Sequence, residues 1–516
     1  MAKIIWRKVD PIVHDRPWLQ KIISWAKRKE AFLSWQDVET DDGGGYWVGL
    51  PSNVKELRDV ISLNLSCYEF STIHPDLGKL KLIKDLNLSN NTIKKIPDEI
   101  GQLKTLETLD LSGNQIQILP DIFKDMNELT SLNLSSNLIA TLPQSIYDLT
   151  SLKTLNISYT NINQLDSSFI NLTNLENLEI SVSAFITNVS IFKHLSKLTS
   201  LTLIFDQTQD IPNEVYQLSQ LNKLYLDGGS YTSLPEDIKG LSSLTHLTIK
   251  SRTLKTLPST MFQLDKLQHL KVLGKNVETI APEIAQLKEL KTLEISSTKL
   301  KQLPESFGEV TSLQTLILRT QLLGSLPSSI GGLVNLDSLK IYYGAFNALP
   351  ESLGKLNKLK LLYINCEALE TIPTQIGQLS CLELMLIKSS CLIALPEEIG
   401  QLTNLEEIVI NSEALTSVPE SITQLTQLKH LNLSNCLLRQ LPESIDNLKK
   451  LVSLNVSHNK ITTLPEKLYK LKKLDIVDLR NNQIKNLTEN NENLFFDTYF
   501  NIRGNPLDEE SEYMLY

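Results

Sequence analysis

A step of 23 residues governs this chain. With Val60 as position 1, the same apolar position returns at Ile83, Leu106, Leu129, Leu152, Leu175, Leu198, Leu221, Leu244 and Leu267. It continues through Leu290, Leu313, Leu336, Leu359, Leu382, Leu405, Leu428, Leu451 and Leu474, and a partial unit starts at Asp497. No insertion breaks the register. The stretches "LETLDLSGNQIQILPDIFKDMNE" (106–128) and "LVSLNVSHNKITTLPEKLYKLKK" (451–473) show the plain form. One such unit cannot bury its own leucines but stacked neighbours can, so the step dictates a coil of repeats. Positions 1, 4 and 6 alternate as in a short strand whose intervening side chains face the other way. Position 14 is usually followed by Pro, which fixes φ and turns the chain. The following xxIxxL returns with helical or irregular spacing.

This unit, ending in LPxxIxxL, resembles the leucine-rich repeat family in its 23-residue, bacterial-type form. The resemblance implies an α/β solenoid: a right-handed horseshoe whose concave face is a parallel β-sheet. About twenty strands spaced ~4.8 Å apart would make an arc of about 90 Å, suited to a folded protein domain and poorly suited to a small substrate. The expected organisation is a helical, Trp-rich N-terminal cap over 1–56, repeats over 57–507, and an acidic tail over 508–516. All five tryptophans (Trp6, Trp18, Trp25, Trp35, Trp47) precede the repeats. Asp15 reads as a helix N-cap ahead of Pro17, with Trp18, Ile22 and Trp25 on one helical face. "DDGGGYW" (41–47) reads as a loop, because Asp41 and Asp42 would repel phosphate. The tail "DEESEYMLY" reads as a solvated cap. It is also similar to the glutamate-rich, hydrophobic-ended tails of some bacterial type IV secretion substrates.

Composition narrows the function classes. The net charge of −9 disfavours a nucleic-acid partner, which wants a basic footprint. Five cysteines without a C-x-x-C pair suggest a reducing compartment. The N-terminus lacks an apolar signal core, and no run of about 18 apolar residues appears, so a cytoplasmic protein without membrane contact is expected. The seven histidines are dispersed. His246 and His269 face one side in adjacent repeats, a weak metal pair more simply read as surface polar residues. Cys366, Cys391 and Cys436 fall in loops after their strands, and no arrangement of nucleophile and base is visible. No enzyme activity, metal or cofactor is expected. Some bacterial leucine-rich repeat effectors append a ubiquitin-ligase domain to the solenoid, and here only the short tail follows.

Two columns point to a partner surface. Position 9 normally holds Asn, whose side chain pairs backbone groups of the turn. It is Asn at 91, 114, 137, 459, 482 and 505, but Arg252, Lys275, Thr298, Gln321, Gly344, Glu367, Glu413 and Cys436 occupy it in the interior. Burying those charges unpaired would be costly, so they are expected to swing outward while the loop finds other hydrogen bonds. Position 5 is polar at the ends (Asn87, Asp110, Asn133, Asn455, Asp478) and varied in the middle. The partner-binding residues expected on the central concave face are Phe205, Tyr225, Lys250, Lys271, Ile317, Arg319, Lys340, Tyr342, Tyr343 and Tyr363. Lysines and Arg319 outnumber the carboxylates Asp227, Glu294 and Asp337 there, which favours a folded protein partner with an acidic patch. The expected function is a monomeric, non-enzymatic protein-recognition scaffold. A bacterial effector acting in host cytosol is its sharper version. The alternative is an endogenous cytoplasmic scaffold regulating a small GTPase or phosphatase.

Overall fold

The computed structural model describes residues 17–29, 34–37, 45–51, 57–182, 189–205, 211–487 and 499–513. Trp6, Asp15, 38–44 and 514–516 lie outside them, as do the side chains of Trp35 and Trp47. Where a repeat is described throughout, it gives one strand, a turn, and a return through a short 3₁₀ turn. The repeat at Ile83 shows the logic. Pro97 (φ −71°) precedes the 3₁₀ turn Asp98–Gln102, Ile100 is buried, and the Leu103 N–H closes on the Ile100 carbonyl at 3.0 Å. Proline suits this place because its fixed φ starts the turn and no N–H is needed there.

Seven apolar side chains per repeat make the core. In the repeat at Leu313 they are Leu313, Leu316, Leu318, Leu323, Leu326, Ile330 and Leu333, all buried. Strand positions 4 and 6 face inward while 3, 5 and 7 face out, as the alternation requires.

The molecule divides into two compact units, Met1–Tyr231 with Gly240–Leu244, and Thr232–Lys239 with Thr245–Tyr516. The first opens with helix α1 (Pro17–Lys27) and an antiparallel hairpin of β1 (Ser34–Asp37) and β2 (Gly45–Val48). Parallel strands from β3 (Ser62–Asn64) to β10 (Lys223–Asp227) then pair strictly in chain order. In the second unit the order runs from β11 (His246–Ser251) to β22 (Tyr499–Asn501), again without crossover. The described strands of each unit form an open ladder.

Helix α1 turns Leu19, Ile22, Trp25 and Ala26 inward. Trp25 stacks on Phe70 of the first repeat at 4.2 Å between ring centroids. Trp18, expected on the same face, is half-buried instead, with the Lys79 ammonium 5.8 Å from its ring centre. At the other end a short helix, α2 (Glu509–Tyr513), follows the last strand. Ser511 is buried, and its hydroxyl oxygen accepts from the Leu487 N–H at 2.8 Å. The Asp508 N–H donates to the Lys485 carbonyl at 2.9 Å. Through Ser511, then, the segment expected to be solvated is docked, while Glu509 and Glu510 remain exposed.

Candidate interaction surface

Strand length divides the repeats into two kinds, and side-chain chemistry decides which kind forms. Where position 5 is Asn or Asp and position 9 is Asn, the strand has three residues, as in Asp85–Asn87. There the Ser89 N–H, at position 7, donates to Asn87 Oδ1 at 2.9 Å. Asn91 Nδ2 donates to the carbonyl of Leu65 in the preceding repeat (2.8 Å) and to that of Leu88 (2.9 Å). Asn91 Oδ1 accepts from the Tyr68 and Phe70 N–H groups. Position 8 turns into the left-handed region, with Asn90 at φ 55° and Ser136 at φ 54°. The position-5 side chain thus captures the N–H that a longer strand would use, and the position-9 amide supplies a donor to the carbonyl left over.

Where those residues are missing, the ladder continues. Strands Thr292–Ser297 and Thr315–Thr320 have six residues and pair through Ser297 opposite Thr320. Position 8 now points inward and carries the turn's hydrogen bonds. Ser297, Ser389 and Ser412 donate to the carbonyls of Val277 (2.6 Å), Leu369 (2.7 Å) and Leu392 (2.7 Å) in the preceding repeats. Cys366 does the same, its Sγ donating to the Gly344 (2.9 Å) and Phe346 (3.0 Å) carbonyls. Thr320, at the same position, differs: fully buried, its hydroxyl has no partner. The position-9 charges Arg252, Lys275, Glu367 and Glu413 are exposed, as expected. Strand length follows position 5: the repeats at Val60 and Leu428 carry Tyr68 and Cys436 at position 9, keep Asn64 and Asn432 at position 5, and still stop after three residues. A change at position 5 therefore alters the backbone itself and is not by itself a sign of a ligand. The inward column of Ser, Thr and Cys was readable in the sequence as small residues recurring every 23 positions, but reading position 8 as outward hid it.

Tyr342, Tyr343 and Gly344 belong to neither kind. Lys340 stands at position 5, yet Tyr343 adopts φ 64° as in a short-strand turn. The space that Asn would fill at position 9 holds the Phe346 ring, and a Cβ on Gly344 would lie 2.6 Å from Phe346 Cε1. Glycine is required for that close approach. The left-handed backbone sends Tyr343 out, 58% exposed, with its ring 6.4 Å from that of Tyr342.

Eight of the ten expected residues lie in the second unit. The Arg319 guanidinium sits over the Tyr342 ring, 4.2 Å from its centre, and Tyr342 packs against Tyr363 at 4.6 Å. Glu294 stands between two cations, 3.3 Å from Arg319 Nε and 3.4 Å from Lys271 Nζ. Ile317, Lys340 and Tyr363 occupy one register line, with Arg319 and Tyr342 in the next. Lys250 is exposed one strand before Lys271. The basic strip is thus partly compensated by Glu294. The other two residues, Tyr225 and Phe205, lie in the first unit. Tyr225 is half-buried with its hydroxyl 3.4 Å from Asp227 Oδ2. Phe205 does not face outward. It is the last residue of the strand Ser200–Phe205, at inward position 8, buried and edge-on to Tyr231 at 6.2 Å. Alternation in a strand that continues to position 8 puts it there.

The rings of His246 and His269 stack at 4.3 Å. Burial lowers the His269 pKa, and Lys291 and Lys271 lower it further. Such a cationic setting is a poor one for a metal ion, and among the described residues no group of three or more His, Cys, Asp or Glu is placed to hold one. Cys366 and Cys436 are packing residues: burial raises both thiols, that of Cys436 to about 11, away from nucleophilic reactivity. Among the described residues no helix is long and apolar enough to cross a membrane.

Parallel strands stacked in chain order on a 23-residue step, with a 3₁₀ return behind the described turns, define a leucine-rich repeat protein. Family models agree: residues 58–116 match a leucine rich repeat, 123–230 a leucine-rich repeat region, and 209–324 a BspA type leucine rich repeat region. Further leucine rich repeat models match 427–448 and 449–492. The chain belongs to this family. Among solved structures it is similar to a leucine-rich repeat protein of Leptospira interrogans, at 27% identity and TM-score 0.56, over 86% of this chain and 96% of that one. It is also similar to a TDR receptor, at 22% identity and TM-score 0.51, over 87% and 89% of the two chains. The functional domain of InlJ from Listeria monocytogenes is 18% identical, with TM-score 0.50, over 77% and 75%. No curated protein matches the chain.

Proposed function

We propose that this chain is a non-enzymatic recognition scaffold that binds a folded protein with an acidic patch on the outward sheet face of its second unit. The observation that carries this is the stack of Arg319 on Tyr342 and of Tyr342 on Tyr363, held half-exposed on three adjacent strands. Tyrosine and arginine anchors supply large contact area at small ordering cost, and they dominate the energetics of protein interfaces. Each rests on a rigid ladder whose inward neighbours Leu318, Ile341 and Ile364 are fully buried, so the face is preformed. Lys340 and Lys271 beside the stack favour a partner that presents carboxylates.

Capture of partners from host and bacterial lysates tests this. The double substitution Tyr342→Ser with Tyr363→Ser should reduce capture at least tenfold and leave thermal stability within about 1 kcal/mol. The comparison variant changes Asp85, Thr108 and Ser131 to Ala, outward residues of short strands. Asn87, Asp110 and Asn133 are unsuitable for it because their side chains hold turns. Equal loss from both variants would reject this placement. The tail motivates the effector version: deleting 508–516 should abolish delivery in a translocation reporter assay, whereas a resident scaffold for a small GTPase or phosphatase would show no tail-dependent delivery.

A further inference from the structure

Outward side chains of the second unit change character along the strand order. Over the strands from His246 to Tyr342 they include Lys250, Lys271, Arg319 and Lys340, the stacked pair His246 and His269, and two aliphatic residues, Leu273 and Ile317. The one carboxylate among these positions, Glu294, has a side chain only 13% exposed and is already bonded to Lys271 and Arg319. From the next strand on, positions 3 and 5 carry Leu361, Leu384, Leu386 and Val409, all half-buried, with Tyr363 at their head, while position 7 carries Asn365, Lys388 and Asn411. Glu407 and Lys388 mark the far margin. Arg319, Tyr342 and Tyr363 join the cationic half to the aliphatic half.

We infer that the occupant is an elongated protein segment with its carboxylates gathered at one end and its apolar side chains at the other. It lies across the strands, acidic end over Lys271–Lys340 and apolar end over Leu361–Val409. The inference rests on the docking face proposed above and specifies what that face reads. A uniformly acidic segment would leave the Leu384, Leu386 and Val409 patch without a matching surface, and a uniformly apolar one would desolvate Lys340 without a counter-charge and leave Lys271 only its pair with Glu294. Segregated blocks satisfy both halves. The seven strand steps from His246 to Glu407 span about 34 Å, the length of roughly 22 helical residues.

The test is selection of a displayed library of random 24-residue peptides on the whole chain, followed by affinity measurements on the recovered peptides. Recovered sequences should carry Asp and Glu at one end and Leu, Ile, Phe or Trp at the other. Lys271→Glu with Lys340→Glu should weaken them at least tenfold and flatten the salt dependence. Leu386→Ser with Val409→Ser should weaken them by a similar factor and leave the salt dependence unchanged. Each variant is first shown to keep the parent melting temperature. Peptides that respond to Tyr342→Ser and Tyr363→Ser but lack segregated acids would overturn the inference and leave the docking face standing. Peptides indifferent to all of these substitutions would overturn both. Binding to phosphatidylserine vesicles, lost in the same variants and unaccompanied by peptide binding, would also overturn it.

Discussion

Repeats at Ile83 and Leu106 and repeats at Leu290 and Leu382 share one spacing and close their turns by opposite means. In the first pair a side-chain amide enters the turn from position 9 and the strand stops after three residues. In the second a hydroxyl at position 8 donates to the preceding repeat and the strand runs on. Both satisfy the buried backbone groups, which is the condition a stacked coil must meet at every step. The comparison teaches that losing the asparagine is not in itself a mark of a binding site. What the longer strand changes is area: positions 5 and 7 become a continuous outward surface, free of turn duties, on which tyrosine, arginine and leucine can stand.

Removing the short-strand device should have the largest effect. Asn459→Ala deletes donors to the Leu433 and Val456 carbonyls and the acceptor for the Leu438 N–H, all buried. A loss of about 3 kcal/mol in urea unfolding is expected. Gln321→Ala, at the same position of a long-strand repeat and exposed, should stay within about 0.5 kcal/mol. Equal losses would dissolve the distinction between the two kinds of repeat.

The hybrid turn tests whether the devices interchange. Gly344→Asn alone drives a side chain into Phe346 and should cost about 2 kcal/mol. Combined with Phe346→Leu, which vacates the amide's place, it should cost less than the two single changes added together, a coupling that a double-mutant cycle of unfolding energies would read.

Next in size is the hydroxyl column. Ser389→Ala removes the bond to the Leu369 carbonyl and the acceptor for the Cys391 N–H, a loss of about 1–2 kcal/mol. Thr320→Val removes an unpartnered hydroxyl at constant shape and should be neutral or stabilising.

The smallest effect concerns the return side. Glu305 accepts from the Ser328 and Ser329 N–H groups and the Ser328 hydroxyl of the next repeat, and these bonds hold its carboxyl below the usual range. Because the folded-state pKa is depressed, the stabilisation is present at neutral pH and is lost as pH falls through the folded value. The melting-temperature difference between the parent and Glu305→Gln should therefore shrink on acidification. A difference that grew would show that the carboxylate is not the stabilising form.

The step, the inward leucines and the proline turns were legible because each is a local requirement repeated at fixed spacing, and repetition makes a local rule visible. The outward swing of Arg252 and Glu413 was equally legible, since burying an unpaired charge is too costly to occur. Phe205 was misread because its direction depends on whether the strand stops at position 5 or continues to position 8, and an aromatic ring suits either face. Of the helix face expected from Trp18, Ile22 and Trp25, Trp18 is only half-buried, because a helix face is settled by what it meets, here Phe70 for Trp25 and Lys79 for Trp18.

By itself, the sequence determined the repeat, its register and its core, because a 23-residue unit with leucines at fixed positions has one way to keep them dry. Only the tertiary structure decided which backbone groups of the neighbouring repeat each turn side chain reaches, such as the Leu65 carbonyl for Asn91 and the Leu369 carbonyl for Ser389, since those partners lie about one repeat away in the chain. It also decided that Arg319, Tyr342 and Tyr363, also a repeat apart, form one stack. Contacts between stacked coils are set by register and strand length together, and strand length emerges only when neighbouring repeats compete for the same carbonyls.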